Sequence, residues 1–213
     1  MLRLNNSLIA DSNPSSHISE SFRSLRTYIR HLGLLNSSKG TVLMFTSGEA
    51  GEGKTTILAN LAVSFVQEGK KVAVIDCNLR NPGLHAVFGV EGSDGLAAYL
   101  TGSEKSSDIS AYGSLANLSV IPAGITKVSP PDLLGSDKMT VLLHELRESH
   151  DLILLDTPSA VEYSDARILA PYSDGVILVA RYGKSKRDSL RKVKTLMEQA
   201  GSKILGIAMN QAK

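Results

Sequence analysis

Cysteine is almost missing from this 213-residue chain: Cys77 stands alone, so a disulfide within the chain is excluded and a reducing compartment is expected. Long apolar runs are missing too. No stretch approaches the ~20 residues needed to cross a bilayer, and the opening "MLRLNNSLIADSNPSS" lacks the apolar core of a signal peptide. A soluble, cytoplasmic protein is therefore expected. Neither sign of charge dominates, because 23 Lys and Arg against 21 Asp and Glu leave only +2. That balance gives no global pull toward nucleic acid or membrane. The five histidines (17, 31, 85, 144, 150) show no metal-ligand spacing, and no internal repeat or low-complexity tract is visible.

What is present is apolar and periodic. With 42% hydrophobic residues the chain can bury an ample single core. Short apolar runs recur as "TVLMFT" (41–46), "KVAVID" (71–76), "LSVIPA" (118–123), "DLILLD" (151–156), "GVILVA" (175–180) and "KILGIAM" (203–209). Their lack of polar alternation suits strands buried on both faces. Helical periods at 54–68, 136–149, 161–170 and 186–200 lie between them, so an α/β fold with a mostly parallel sheet follows. The Gly/Ser-rich stretch 101–114 is expected to be a surface loop.

The first run is followed directly by "SGEAGEGKTT", which contains G-x-x-x-x-G-K-T. The expected cradle comprises Gly48, Glu49, Ala50, Gly51, Glu52, Gly53, Lys54, Thr55 and Thr56. Glycines let the backbone curl until successive N–H groups point at phosphate oxygens. A helix starting near Lys54 adds its positive end. Lys54 is placed to reach the β- and γ-phosphates of ATP, and the Thr55 hydroxyl to ligate Mg²⁺. "LILLDTP" brings a second acid, Asp156, to a strand end, where a carboxylate can hold Mg²⁺. "VAVIDCNLRNPG" delivers Asp76, Asn78 and Arg80 to the same sheet edge, where ligands of open α/β sheets bind. Asp76 can take a proton from an attacking hydroxyl or order the metal's water shell. Asn78 can ligate or donate but cannot accept a proton at neutral pH. The fold class is thus a P-loop NTPase-like three-layer sandwich, its central sheet flanked by helices.

Ahead of the sheet, Phe22, Leu25, Ile29 and Leu32 form one stripe of a helix that carries Glu20, Arg23, Arg26 and Arg30 elsewhere. This divides the chain into a linker and helix over 1–35, able to reach a neighbouring subunit through a polar linker at 10–19, and an ATP-binding domain over 36–213. Seven basic residues crowd "RYGKSKRDSLRKVK" beside one acid, on what reads as a solvated helix face.

Over nearly all its length the chain resembles the bacterial tyrosine kinases of capsule and exopolysaccharide synthesis. The resemblance rests on the Walker A loop "SGEAGEGKTT", an A′ motif close to D-x-D-x-R, the Walker B strand "LILLDTP", and the E-x-x-R-x-x-R helix matched by Glu20, Arg23 and Arg26. It implies Mg·ATP-dependent autophosphorylation on tyrosine, a ring of subunits held by that helix, and activation by a transmembrane polysaccharide chain-length regulator at the inner face of the plasma membrane. It also implies Asn210 as a contact to adenine. No nucleic acid partner is expected. Two features depart from the family pattern. Asn78 replaces the second acid of the A′ motif, which would weaken transfer if that position moved the proton. The six tyrosines (28, 99, 112, 163, 172, 182) are scattered, so the acceptor is expected on a tyrosine-rich tail or another protein. The competing functions are a MinD/ParA-like switch ATPase, which often has a lysine where this chain has Glu49, and a nucleotide-binding adaptor with weak or no transfer.

Overall fold

The computed structural model describes residues 8–36, 39–92, 94–105, 109–112 and 115–211. The first half runs α1 (Ile9–Ser12), α2 (His17–His31), β1 (Thr41–Ser47), α3 (Lys54–Val66), β2 (Val72–Asp76), α4 (Leu84–Phe88) and α5 (Leu96–Thr101). The second runs β3 (Ala111–Tyr112), β4 (Leu118–Ile121), α6 (Pro130–Leu134), α7 (Asp137–Ser149), β5 (Leu152–Asp156), α8 (Asp165–Leu169), β6 (Gly175–Arg181), α9 (Arg187–Gln199) and β7 (Ile204–Asn210). The strands join in the order β3-β4-β2-β5-β1-β6-β7. All neighbours are parallel except the two-residue edge strand β3, which runs antiparallel to β4.

Each apolar run became a strand, and helices cover both faces of the central ones, while Ile207 and Met209 on the edge strand β7 stay exposed. Val42 and Met44 of β1 join Ile153 and Leu155 of β5 in a core roofed by α7 and α9. Leu43 and Phe45 point the other way and join Leu152, Leu154 and α3. This period-2 division between two buried layers leaves no polar face on the central strands. The stretch 101–114 differs from the expected loop, since it contributes the end of α5 and the short strand β3. Residues 106–108, 113 and 114 of it lie outside the described residues.

The N-terminal segment is anchored to the same body. Leu8 and Ala10 are buried, Asn60 of α3 accepts the Ala10 amide at 2.9 Å, and Gln67 donates to the Ala10 carbonyl at 2.9 Å. The expected linker at 10–19 therefore comprises the end of the docked α1, a short connection at 13–16 and the first turn of α2. The α2 stripe packs on this chain too: Ile29 is fully buried, and Phe22, Leu25 and Leu32 lie against the α3 core. That cover explains why α3 can bury apolar side chains around most of its circumference.

Candidate nucleotide site

Strand register assembles the site before any side chain is considered. Parallel pairing sets Phe45 of β1 opposite Asp156 of β5, and Asp156 opposite Asp76 of β2. Two carboxylates therefore leave adjacent strands at the same level, about 4.8 Å apart in the pairing direction. The loop after β1 curls over this edge. Gly51 (φ 73°) and Gly53 (φ 93°) take left-handed backbone there, and Gly53 directly precedes α3. A Cβ on Gly53 would lie 2.0 Å from Asn210 Nδ2, so the loop's end and the end of β7 need glycine to approach so closely.

Lys54 starts α3 and is nearly buried, at 7% exposure. Its ammonium donates to Ser47 Oγ at 2.8 Å. Burial lowers the Lys54 pKa, against the opposing pull of Asp156, Glu52 and Glu162. Thr55, one residue on, donates its hydroxyl to Asp156 Oδ2 at 2.5 Å. The other Asp156 oxygen, Oδ1, is buried without a hydrogen-bond partner among the described residues. A desolvated carboxylate oxygen of this kind is costly unless something else binds it. Burial first, and then Asp76, push the Asp156 pKa up to about 7; the Thr55 bond and Lys54 resist.

Asp76 is equally buried but treated differently. Its Oδ2 accepts the amides of Gly83 (2.8 Å) and Leu84 (3.0 Å), and Oδ1 accepts that of Asn78 (3.1 Å). Burial raises its pKa, while those three donors and His85 hold the rise back. Bonds to the charged form favour ionisation, so three amides oppose the rise at Asp76 where Asp156 has one hydroxyl and Lys54.

The other residues expected at the site divide. Asn78 faces its own loop: Nδ2 donates to the Asn81 carbonyl (2.8 Å) and Oδ1 accepts the Asn81 amide (3.2 Å). Arg80 turns toward the start of α8, where its Nε and Nη2 bind Asp165 at 2.9 and 3.1 Å. Asn210 Nδ2 donates to the Glu52 carbonyl at 3.0 Å, and Glu52 Oε2 accepts the Glu49 amide at 3.1 Å. Away from this edge, Glu20 and Arg23 form an exposed ion pair at 2.5 Å. Arg26 instead spends its guanidinium on the Ser64 carbonyl and hydroxyl.

Several contributors were not legible as motif residues. Ser159 donates to the Gly48 carbonyl (2.8 Å), Thr157 to the Phe45 carbonyl (2.8 Å), and Thr46 to the Pro158 carbonyl (2.9 Å), strapping the loop after β5 onto the cradle. Ser185 donates to Glu52 Oε1, and Ser189 of α9 lies so near Gly48 that a Cβ there would be 2.3 Å from its hydroxyl. Only the Gly-rich spacing of the cradle itself signals that such backing is needed.

The donor set fits a magnesium-bound nucleotide. Thr55 Oγ1, both Asp156 oxygens and a lysine stand at one edge beneath a glycine cradle, and the unpartnered Oδ1 supplies the place a cation would satisfy.

Comparison with known proteins agrees with this geometry. Residues 43–212 match the family described as the CobQ/CobB/MinD/ParA nucleotide binding domain. The tyrosine-protein kinase YwqD of Bacillus subtilis is 36% identical over 211 residues, covering 99% of this chain and 88% of YwqD. The kinase domain of the Escherichia coli tyrosine kinase ETK superposes with a TM-score of 0.92 at 29% identity, over 99% of this chain and 82% of that one. The septum site-determining protein MinD of Pyrococcus horikoshii, solved with Mg-ADP, is also similar but less so, with a TM-score of 0.69 at 28% identity over 81% of this chain and 70% of MinD. With that sheet order, that cradle and relatives of that length and identity, the chain belongs to the bacterial tyrosine-protein kinases of the CobQ/CobB/MinD/ParA nucleotide-binding family.

Proposed function

We propose that the chain transfers the γ-phosphoryl group of ATP to tyrosine hydroxyls, in the service of capsular or exopolysaccharide synthesis and export. One observation carries the reading: Lys54, Thr55, Asp76 and Asp156 converge on one strand edge, with the two acids differently prepared. The tyrosine oxygen attacks the γ-phosphorus while the bond to the β-phosphate oxygen breaks, its electron pair leaving with ADP. Asp76, kept ionised by three amides, accepts the hydroxyl proton. Lys54 and the cradle amides neutralise charge on the phosphate oxygens. Thr55 and Asp156, with Asp76 in support, would hold Mg²⁺, which when bound offsets the negative charge of the triphosphate. Asn210, against the end of the cradle, is the proposed contact to adenine.

The exposed Glu20–Arg23 pair on α2 is the proposed lattice point of a homo-oligomeric ring; Arg26 braces it from within, against α3. A transmembrane chain-length regulator is the proposed activator and would hold the chain at the inner face of the plasma membrane. No helix among the described residues is long and apolar enough to cross a membrane. The acceptor is a tyrosine-rich tail or another protein.

Incubation with Mg·ATP and a tyrosine-rich peptide, followed by phosphotyrosine detection, tests the reading. A signal lost in Lys54→Ala is expected. Nucleotide binding without transfer to the chain or to the peptide would leave the adaptor function in its place.

A further inference from the structure

The A′ arginine is held by residues that no part of the Walker A, A′ or B pattern names. Arg80 lies in the loop after β2, and Asp165 opens α8 after the loop that leaves β5. Asp165 is wholly buried. Its two carboxylate oxygens receive Arg80 Nε and Nη2 in a two-pronged contact of 2.9 and 3.1 Å. Tyr163 closes the remaining side, its ring centroid 4.3 Å from Arg80 Cζ. The guanidinium is thus fixed along one edge and over one face, which leaves its other N–H donors for a ligand.

From this geometry we propose that Asp165 and Tyr163 are positioning residues that preset Arg80 for the transferring phosphoryl group, a proposal that rests on the kinase reading. The clamp ties together the two loops that follow Asp76 and Asp156, so the base and the metal-side acid keep a fixed spacing. A buried carboxylate binds its partner strongly, because release would leave an uncompensated charge in a dry site. Arg80 therefore works as a fixed donor rather than a swinging one.

Steady-state transfer to a tyrosine-rich peptide, with ADP affinity and thermal midpoint measured on the same samples, tests this. Asp165→Asn and Arg80→Lys should each lower kcat by about tenfold or more while KM for ATP and ADP affinity stay within about twofold. The double variant should be no slower than the slower single variant, since both break one clamp. Tyr163→Ala should lose several-fold in kcat, and Tyr163→Phe should regain it. A faster Asp165→Asn would mean that the clamp restrains Arg80 and would overturn the proposal. So would full additivity, or a fall in thermal midpoint with kcat untouched in the folded fraction; Arg80→Lys, which keeps a cation beside Asp165, guards against simple unfolding. If the wild-type chain transfers no phosphate, the kinase reading fails and takes the clamp with it. If the wild type is active and the variants do not split kcat from KM, the clamp alone fails.

Discussion

The tips of β2 and β5 carry the same residue at the same level of the sheet, yet the chain prepares them in opposite ways. Asp76 is saturated by three backbone amides from the turn that follows it. Asp156 has one hydroxyl partner, and its other oxygen has none among the described residues. Sequence-local turns supply the first environment; the second is shaped by tertiary neighbours, chiefly Thr55 of α3. The contrast separates two identical side chains: an acid oriented by three amides beside one whose second oxygen has no hydrogen-bond partner among the described residues.

The strongest way to break this contrast is Asp76→Asn, which removes the proposed proton acceptor and puts an amide among the three amide donors. Transfer should fall ~10²–10⁴-fold, measured as kcat with the peptide acceptor, with nucleotide still bound. A loss of under about tenfold would transfer the proton-accepting role elsewhere.

Next in size is the pH dependence of the nucleotide-free protein. The folded Asp156 keeps its proton up to about pH 7, whereas an unfolded chain loses it near pH 4. Between those values the native state binds more protons than the unfolded state, so stability falls as pH rises through the window. Denaturant unfolding from about pH 4 to 8 should show this decline. Asp156→Asn, neutral throughout, should flatten it and be the more stable protein at the alkaline end. Parallel curves for the two proteins would contradict the assignment.

The smallest effect belongs to Asn78. Its side-chain amide is committed to Asn81, while its backbone N–H donates to Asp76. Asn78→Asp loses the Nδ2 bond to the Asn81 carbonyl but puts a second acid on the A′ loop. Transfer should rise several-fold, and the rate should show whether the second A′ position contributes beyond Asp76.

Most of the sheet was legible because the central strands are buried on both faces and read as apolar runs; β7 was legible as an apolar run although Ile207 and Met209 stay exposed. The two-residue β3 carries no such run and is set by pairing with β4. The short helices α4, α5 and α6 are held by tertiary packing and show too few turns for a period to appear. The expected helix at 161–170 begins only at Asp165, because 161–164 form the turn that carries Tyr163. At the candidate site, glycine spacing pointed to Lys54 and Thr55, and apolar runs that end in an acid pointed to Asp76 and Asp156; the fold brings these to one sheet edge. Ser159 and Asp165 were silent: each acts through a contact between distant segments, which one stretch of sequence does not display. Arg80 shows both sides, visible as a motif residue while its partner Asp165, 85 positions away, was not.

A carbon-detected NMR titration of the aspartate side-chain carboxyls in the nucleotide-free protein reaches the central claim directly. Asp156 should titrate near pH 7 with Asp76 already ionised, and Mg·ADP should drive the Asp156 midpoint down. If Asp76 instead kept its proton to neutrality while Asp156 ionised first, the division of labour between the two strand tips would be contradicted.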